Sequence, residues 1–383
     1  LSRRIRSGAF AFALASGCFA AFGLACARDD AAGNPLLASA SRAERSRGRD
    51  LAAGFRALLA IRGAALGEEV ALPRADYANA RLAGSIASPR LTETSGLATS
   101  RRRDDVLWAI NDSGQAPRVH AVGLDGADLG FATIEGVDAV DWEDLASFEL
   151  DGRSYLLIAD TGDNLSWHEQ SVLLVVEEPE LTGATLAAGA TGKPAWRIPF
   201  HFEDGPRDCE AVAVDTEHMR VLLIAKRTEP PGLYELPLRP NNDSIPAGAI
   251  APDLVARRIG DVPGIPPPTR SDVAASRWLG RYFAMPTAFD LSADGRSAVV
   301  LTYREAYLYE RVADEDWAAT LGRPPQRIEL PAMAQAEGIA FARDGRTIFV
   351  TSEGGNPPLY RLGRLGDRAD SLSRRRERSR SLR

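Results

Sequence analysis

Carboxylates recur in this chain at the start of short apolar segments. Glu143 and Asp144 stand in Asp141-Trp142-Glu143-Asp144, Glu210 in Arg207-Asp208-Cys209-Glu210, and Glu337 in Glu337-Gly338-Ile339-Ala340. A second polar set closes the apolar segments that follow: Asn111 and Asp112, Asp160 with Asp163 and Asn164, Lys226 and Arg227, Tyr303 and Arg304, and Glu353. Two unit charges about 4 Å apart interact by about 4 kcal/mol at an effective dielectric near 20. Carboxylates folded into one place therefore call for a cation. Oxygen donors without neighbouring His or Cys favour calcium, or less strongly magnesium, over zinc or copper. The candidate metal ligands are Asp112, Asp141, Glu143, Asp144, Asp160, Asp163, Asn164, Glu210, Glu337 and Glu353. Lys226, Arg227 and Arg304 are the candidate holders of a small anionic substrate, a phosphate above all. A water-filled channel with salt bridges to these cations is the reading without a metal.

Other catalytic templates are missing. There is no Gly-x-Ser-x-Gly elbow, no His-Glu-x-x-His zinc helix and no Gly-x-x-x-x-Gly-Lys phosphate loop. His120, His168, His201 and His218 are scattered, and Cys209 has no identifiable His partner, so burial as a small apolar side chain is expected of it.

The elements that must gather these residues repeat. Ser95-Gly96-Leu97-Ala98, Glu143 to Ala146, Glu210 to Ala213, Thr287 to Asp290 and Glu337 to Ala340 each open a strand. Each is followed by a turn, such as Asp151-Gly152, Asp294-Gly295 or Asp344-Gly345, and then by a buried strand. Third and outer strands follow most units at a spacing near 50 residues. This predicts an all-β fold, a β-propeller of four-stranded blades, with a β-sandwich as the alternative. Five blades are visible, and residues 259 to 286 leave room for a sixth. The last unit lacks an outer strand, which Tyr77 to Ile86 would supply, closing the ring. In an antiparallel hairpin the start of the first strand lies beside the end of the second, so both polar sets are expected on one rim.

The expected organisation is a signal peptide over 1–26, a linker with a short helix near Asp50 to Leu59 over 27–76, the propeller over 77–363, and a disordered Arg-rich tail over 364–383. Arg3, Arg4 and Arg6 precede an apolar run from Gly8 to Ala25, which has the form of a secretory signal. Export to the periplasm or beyond is expected, and Cys26 is the lipidation candidate, so contact with a membrane would come only through a lipid anchor. The chain carries a net charge of −6, so nucleic acid is not an expected partner of the body, and a monomer is expected.

The segment from Glu337 through Asp344-Gly345-Arg346 to Glu353 resembles bacterial secreted propellers of the phytase-like esterase type. Asn111-Asp112-Ser113-Gly114, Asp141-Trp142-Glu143-Asp144 and Gly162-Asp163-Asn164 are similar to a set of exported proteins without an assigned activity. The phytase-like resemblance implies calcium-assisted phosphoester hydrolysis. A resemblance to the gluconolactonase group would instead centre one divalent metal on Glu143, Asn111 and Asp160. A calcium-dependent phosphoesterase, a lactonase-like hydrolase and a non-catalytic binding scaffold are thus the three function classes.

Overall fold

The computed structural model describes residues 66–112, 114–240, 254–276 and 280–365. The expected signal segment, Cys26, the helix near Asp50 and most of the Arg-rich tail lie outside them.

The first strand, β1 (Arg81–Ser85), precedes five repeats of a four-stranded antiparallel unit. Blade 1 holds β2 (Thr94–Thr99), β3 (Val106–Asn111), β4 (Arg118–Gly123) and β5 (Asp128–Ile134). Blade 2 holds β6 (Trp142–Leu150), β7 (Arg153–Asp160), β8 (Ser171–Glu177) and β10 (Pro194–Phe202), while the two residues of β9 (Thr191–Gly192) extend blade 1 in parallel with β5. Blade 3 holds β11 (Cys209–Asp215), β12 (Arg220–Ala225), β13 (Gly232–Pro237) and β14 (Leu254–Asp261); blade 4 holds β15 (Pro286–Leu291), β16 (Ser297–Thr302), β17 (Ala306–Glu310) and β18 (Gln326–Ile328). Blade 5 runs through β19 (Ala336–Phe341), β20 (Thr347–Ser352) and β21 (Pro358–Gly363) and is completed by β1, which pairs antiparallel with β21.

The inner strands β2, β6, β11, β15 and β19 lie against one another in that order, and β19 returns to β2. The apolar side chains form five clusters, each shared by two successive blades. Trp108 and Ile158 meet between blades 1 and 2, Phe148 and Val212 between 2 and 3, Leu222 and Phe289 between 3 and 4, Leu301 and Ile339 between 4 and 5, and Leu97 and Phe349 between 5 and 1. Five interfaces with one closure define a five-bladed propeller. The segment considered for a sixth blade holds no strand among its described residues after β14. It carries instead a capped one-and-a-half-turn helix, α1 (Arg270–Ala275), and a 3₁₀ turn at Gly280–Tyr282.

Local chemistry explains the units. Asp151 and Gly152 both have positive φ, 52° and 73°, as a tight two-residue hairpin requires. Gly96 has φ of 85° where β2 passes the backbone of Asp144 and Leu145, and a side chain there would strike both. The ring also takes up residues on both sides of the sequence-based boundaries. Ala75 is buried and its N–H donates to the Arg327 carbonyl at 2.8 Å, while Arg364 bridges to Tyr77 and pairs with Glu310.

Closure at β1 has a direct test. A side chain on Gly84 would collide with the Asp125 carbonyl oxygen beneath β1. Gly84→Val is expected to lower stability by roughly 1–3 kcal/mol through overpacking, read as a fall in the denaturant midpoint with an unchanged slope.

Candidate functional site

All five inner hairpins carry a register irregularity at the same end: between Ser95 and Leu97, Trp142 and Asp144, Cys209 and Ala211, Pro286 and Ala288, and Ala336 and Gly338. A β-bulge leaves one residue unpaired and re-aims its side chain. The unpaired positions in blades 2 to 5 are Glu143, Glu210, Thr287 and Glu337, all buried. The residues that leave the partner strands at this level are Asp112, Thr161, Lys226, Tyr303 and Glu353, one per blade. The first-strand set and the second-strand set therefore meet in one mouth.

Two groups of three carboxylates form there and share a member. Asp112, Asp141 and Glu143 bring ligand oxygens within 4.8 Å of one another, and so do Glu143, Asp208 and Glu210. Gly162 lies beside the first group. A methyl group on its Cα would occupy the space next to the Glu143 and Asp141 carboxylates, so the backbone passes close enough for only a hydrogen to fit. The donor set is all oxygen, buried and acidic, which fits a hard divalent cation such as calcium or magnesium.

The charges are held under strain of their own making. Burial first, and then the neighbouring Asp112, Asp208 and Asp160, push the Asp141 pKa up to about 7. Burial followed by Glu210, Asp112 and Asp141 raises Glu143 well above the ordinary carboxyl range. Glu210 and Glu337 are raised in the same way. Burial and the neighbouring Glu353 raise Glu337, and burial brings Glu353 up to about 7. Lys226 stays charged because Glu210, Tyr303 and Asp208 outweigh the cost of its burial. Its ammonium pairs with Glu210 and donates to the Tyr303 hydroxyl at 3.0 Å.

Several candidates serve the mouth from behind. The Asp160 carboxylate accepts the N–H of Asp141 at 2.8 Å and so positions the loop that carries Asp141. Asp163 accepts the N–H groups of Trp167 and His168, each at 2.8 Å, and Asn164 accepts from Arg227. These three are occupied by backbone or by arginine and lie outside both carboxylate groups. Asp144 points below the mouth. It accepts N–H bonds from Leu145 (2.8 Å), Val212 (2.8 Å) and Phe289 (3.2 Å), and thus ties blades 2, 3 and 4 together at the axis.

The cations are also occupied. Arg227 pairs with Asp208 at 2.5 Å. Arg304 turns away to Asp272 of α1, at 2.5 Å, and to the Tyr307 hydroxyl at 3.1 Å, so it does not join the mouth. Sequence reasoning missed one member, Asp208, and placed Tyr303 at the rim without giving it a role. Asp208 stands two residues before Glu210, as Asp141 stands before Glu143, and this spacing was the available signal. Tyr303 reaches inward because the chain leaves β16 there; its neighbour Arg304 carried the more conspicuous charge.

No protein-family model and no curated protein sequence matches the chain. Among solved structures, it is similar to a luciferin-regenerating enzyme (10% identity, TM-score 0.35, covering 73% of this chain and 93% of that one). It is similar also to a gluconolactonase from Xanthomonas campestris (11% identity, TM-score 0.36, 79% and 97% covered) and to the Pan2 WD40 domain of Neurospora crassa (11%, 0.37, 77% and 98%). The fold assignment itself rests on the ring of sheets and clusters.

Two expectations follow. Asp144→Ala strands three buried N–H groups, each worth about 1–3 kcal/mol, and should cost at least about 3 kcal/mol in chemical denaturation. Asp141 and Glu353 have folded pKa values near 7, above their ordinary 3.8 and 4.5, so they bind protons more tightly in the folded state. Their contribution to stability is complete below about pH 4 and is lost as the pH rises through about 7. In chelator, the melting temperature should therefore contain a component that falls between about pH 4 and about pH 7.

Proposed function

We propose that the chain is a divalent-cation-dependent propeller hydrolase acting on a small uncharged ester or lactone, with calcium the cation that suits its mouth. The observation that carries this reading is the pair of buried carboxylate groups joined at Glu143, with Gly162 leaving space beside it. Such a set is costly as bare charge and is relieved by a cation.

The substrate class follows from the occupied cations. Lys226, Arg227 and Arg304 all answer carboxylates of the chain itself, so none is left to balance the two charges of a phosphomonoester. A neutral carbonyl enters a net acidic mouth with less electrostatic opposition. This puts the lactonase-like class ahead of the phosphoesterase that the phytase-like resemblance implies.

A bound divalent cation supplies Lewis-acid polarisation of the ester carbonyl. The residues of the chain do the rest. Asp112, Asp141 and Glu143 hold the cation, while Glu210 keeps Lys226 charged at the rim. Glu353, with a pKa near 7 and a partner in Glu337, is suited to take a proton from water at neutral pH. The Arg-led apolar start supports work outside the cytoplasm, which cell fractionation tests.

At a calcium concentration about 100 times the dissociation constant, binding should stabilise the fold by roughly 2.7 kcal/mol, seen in calorimetry as a higher melting temperature that chelator reverses. Glu143→Gln and Gly162→Ala should remove that shift, the first by deleting a donor and the second by filling the space. Absence of any shift in the parent protein would overturn the metal site. Assays on lactones, carboxylic esters and phosphomonoesters, with and without calcium, decide the substrate class. Hydrolysis of the first two, reduced at least about 100-fold in Glu143→Gln, is the expected outcome. Cleavage of phosphomonoesters alone would reverse the order of the two hydrolase readings.

A further inference from the structure

Away from the mouth, the outer part of blade 1 holds two arginines that answer no carboxylate. Arg118 opens β4, and Arg90 lies in the connection between β1 and β2. Their guanidinium carbons stand 4.6 and 5.2 Å from the centroid of the Phe131 ring on β5. Arg220, by contrast, pairs with three carboxylates at once. The guanidinium groups of Arg90 and Arg118 make neither an ion pair nor a hydrogen bond within the described residues.

His120 joins them. The pairing of β4 with β5 sets it opposite Phe131, with ring centroids 5.6 Å apart. His120 is 1% exposed, and its Nδ1 is buried without a hydrogen-bond partner. The Nε of Arg118 is buried and unpartnered as well. An unmet buried polar group costs about 1–3 kcal/mol, and more when it is charged. Two such atoms beside two uncompensated positive charges point to a missing acceptor. Asp128, the acidic residue that acts on His120, is exposed and accepts the Gly130 N–H at 3.0 Å instead. Burial first, and then Arg118 and Arg90, hold the His120 pKa down at about 4 against the opposing effect of Asp128, so the ring is neutral and can offer one N–H.

The position is also prepared. The Arg90 carbonyl accepts from Asn111 Nδ2 at 2.6 Å, and Asn111 Oδ1 accepts the N–H groups of Thr92 and Glu93, each at 3.2 Å. The connection carrying Arg90 is thereby fixed to the end of β3. Guanidinium forks match the oxygens of carboxylate and phosphate groups, and the Phe131 face supports their flat stacking.

We infer that Arg90, Arg118, His120 and Phe131 form an oxyanion-binding site on the outside of blade 1, which takes the phosphate or carboxylate group of a small ligand. The inference is independent of the metal reading, because none of these side chains belongs to the mouth.

The test is a titration of the full chain, labelled at histidine nitrogen and kept in chelator at constant ionic strength, with inorganic phosphate and separately with acetate. Saturable binding by calorimetry should accompany a rise of the His120 pKa from about 4, since the anion cancels the field of the two arginines. The His201 and His218 signals serve as internal references. Arg90→Gln and Arg118→Gln should each weaken binding roughly tenfold, the loss expected for a charge-assisted hydrogen bond. Arg90 is exposed, so Arg90→Gln retains the fold and keeps the test decisive if Arg118→Gln destabilises the sheet. Binding of phosphate alone assigns a phosphate group, and comparable binding of acetate assigns a carboxylate. No saturable binding of either anion, or both variants binding as tightly as the parent, overturns the site.

Discussion

Five inner strands converge on one axis, and whatever residues begin those strands must share one small mouth. This crowding is the constraint on which the remaining features depend. It selects small residues where strands pass closely, as at Gly96 against Asp144, and it sets the bulges that turn Glu143, Glu210 and Glu337 inward. It also concentrates charge. Carboxylates that would be harmless on five separate hairpins become mutually repulsive and desolvated once the ring closes.

The structure answers that repulsion at two levels. Lower on the axis, Asp144 is satisfied by backbone N–H groups of its own blade and of the next two, so a carboxylate becomes a fastening between sheets. At the mouth the answer is incomplete. Lys226 offsets Glu210 and Arg227 offsets Asp208, yet Asp112, Asp141 and Glu143 converge with the Gly162 backbone, and the carboxyl pKa values are driven up. A site arranged so that protonation or a cation must complete it is better suited to binding than to stability alone. The same reasoning applies with opposite sign on blade 1, where Arg90 and Arg118 share Phe131 without a counter-charge.

Much of this was legible in the residues, and for a physical reason. Strand alternation, Asp-Gly turns and repeated small-residue starts are local signals, because they reflect the period of the strand and the φ demanded by a tight turn. They were enough for the propeller, for the closing role of the segment around Arg81–Ser85, and for the prediction that first-strand starts and second-strand ends share a rim. Asp112, Asp141, Glu143, Glu210, Glu337, Glu353 and Lys226 follow from that rule alone.

The direction in which each side chain points was decided by the tertiary structure. Asp160, Asp163 and Asn164 lie beside the mouth in sequence, but nearby N–H groups and Arg227 claim them, and Arg304 is drawn to Asp272 on a helix some thirty residues earlier. Asp208, just ahead of the bulged Glu210, enters the mouth without having been singled out by the sequence, and Tyr303, legible as a strand end, gains its role only from its contact with Lys226. Sequence by itself determined which residue types reach the rim, since strand order and period are local properties. Only the closed ring decided which of them meet, because bulge placement, competing backbone donors and the partners of each charge depend on blades far apart in the chain.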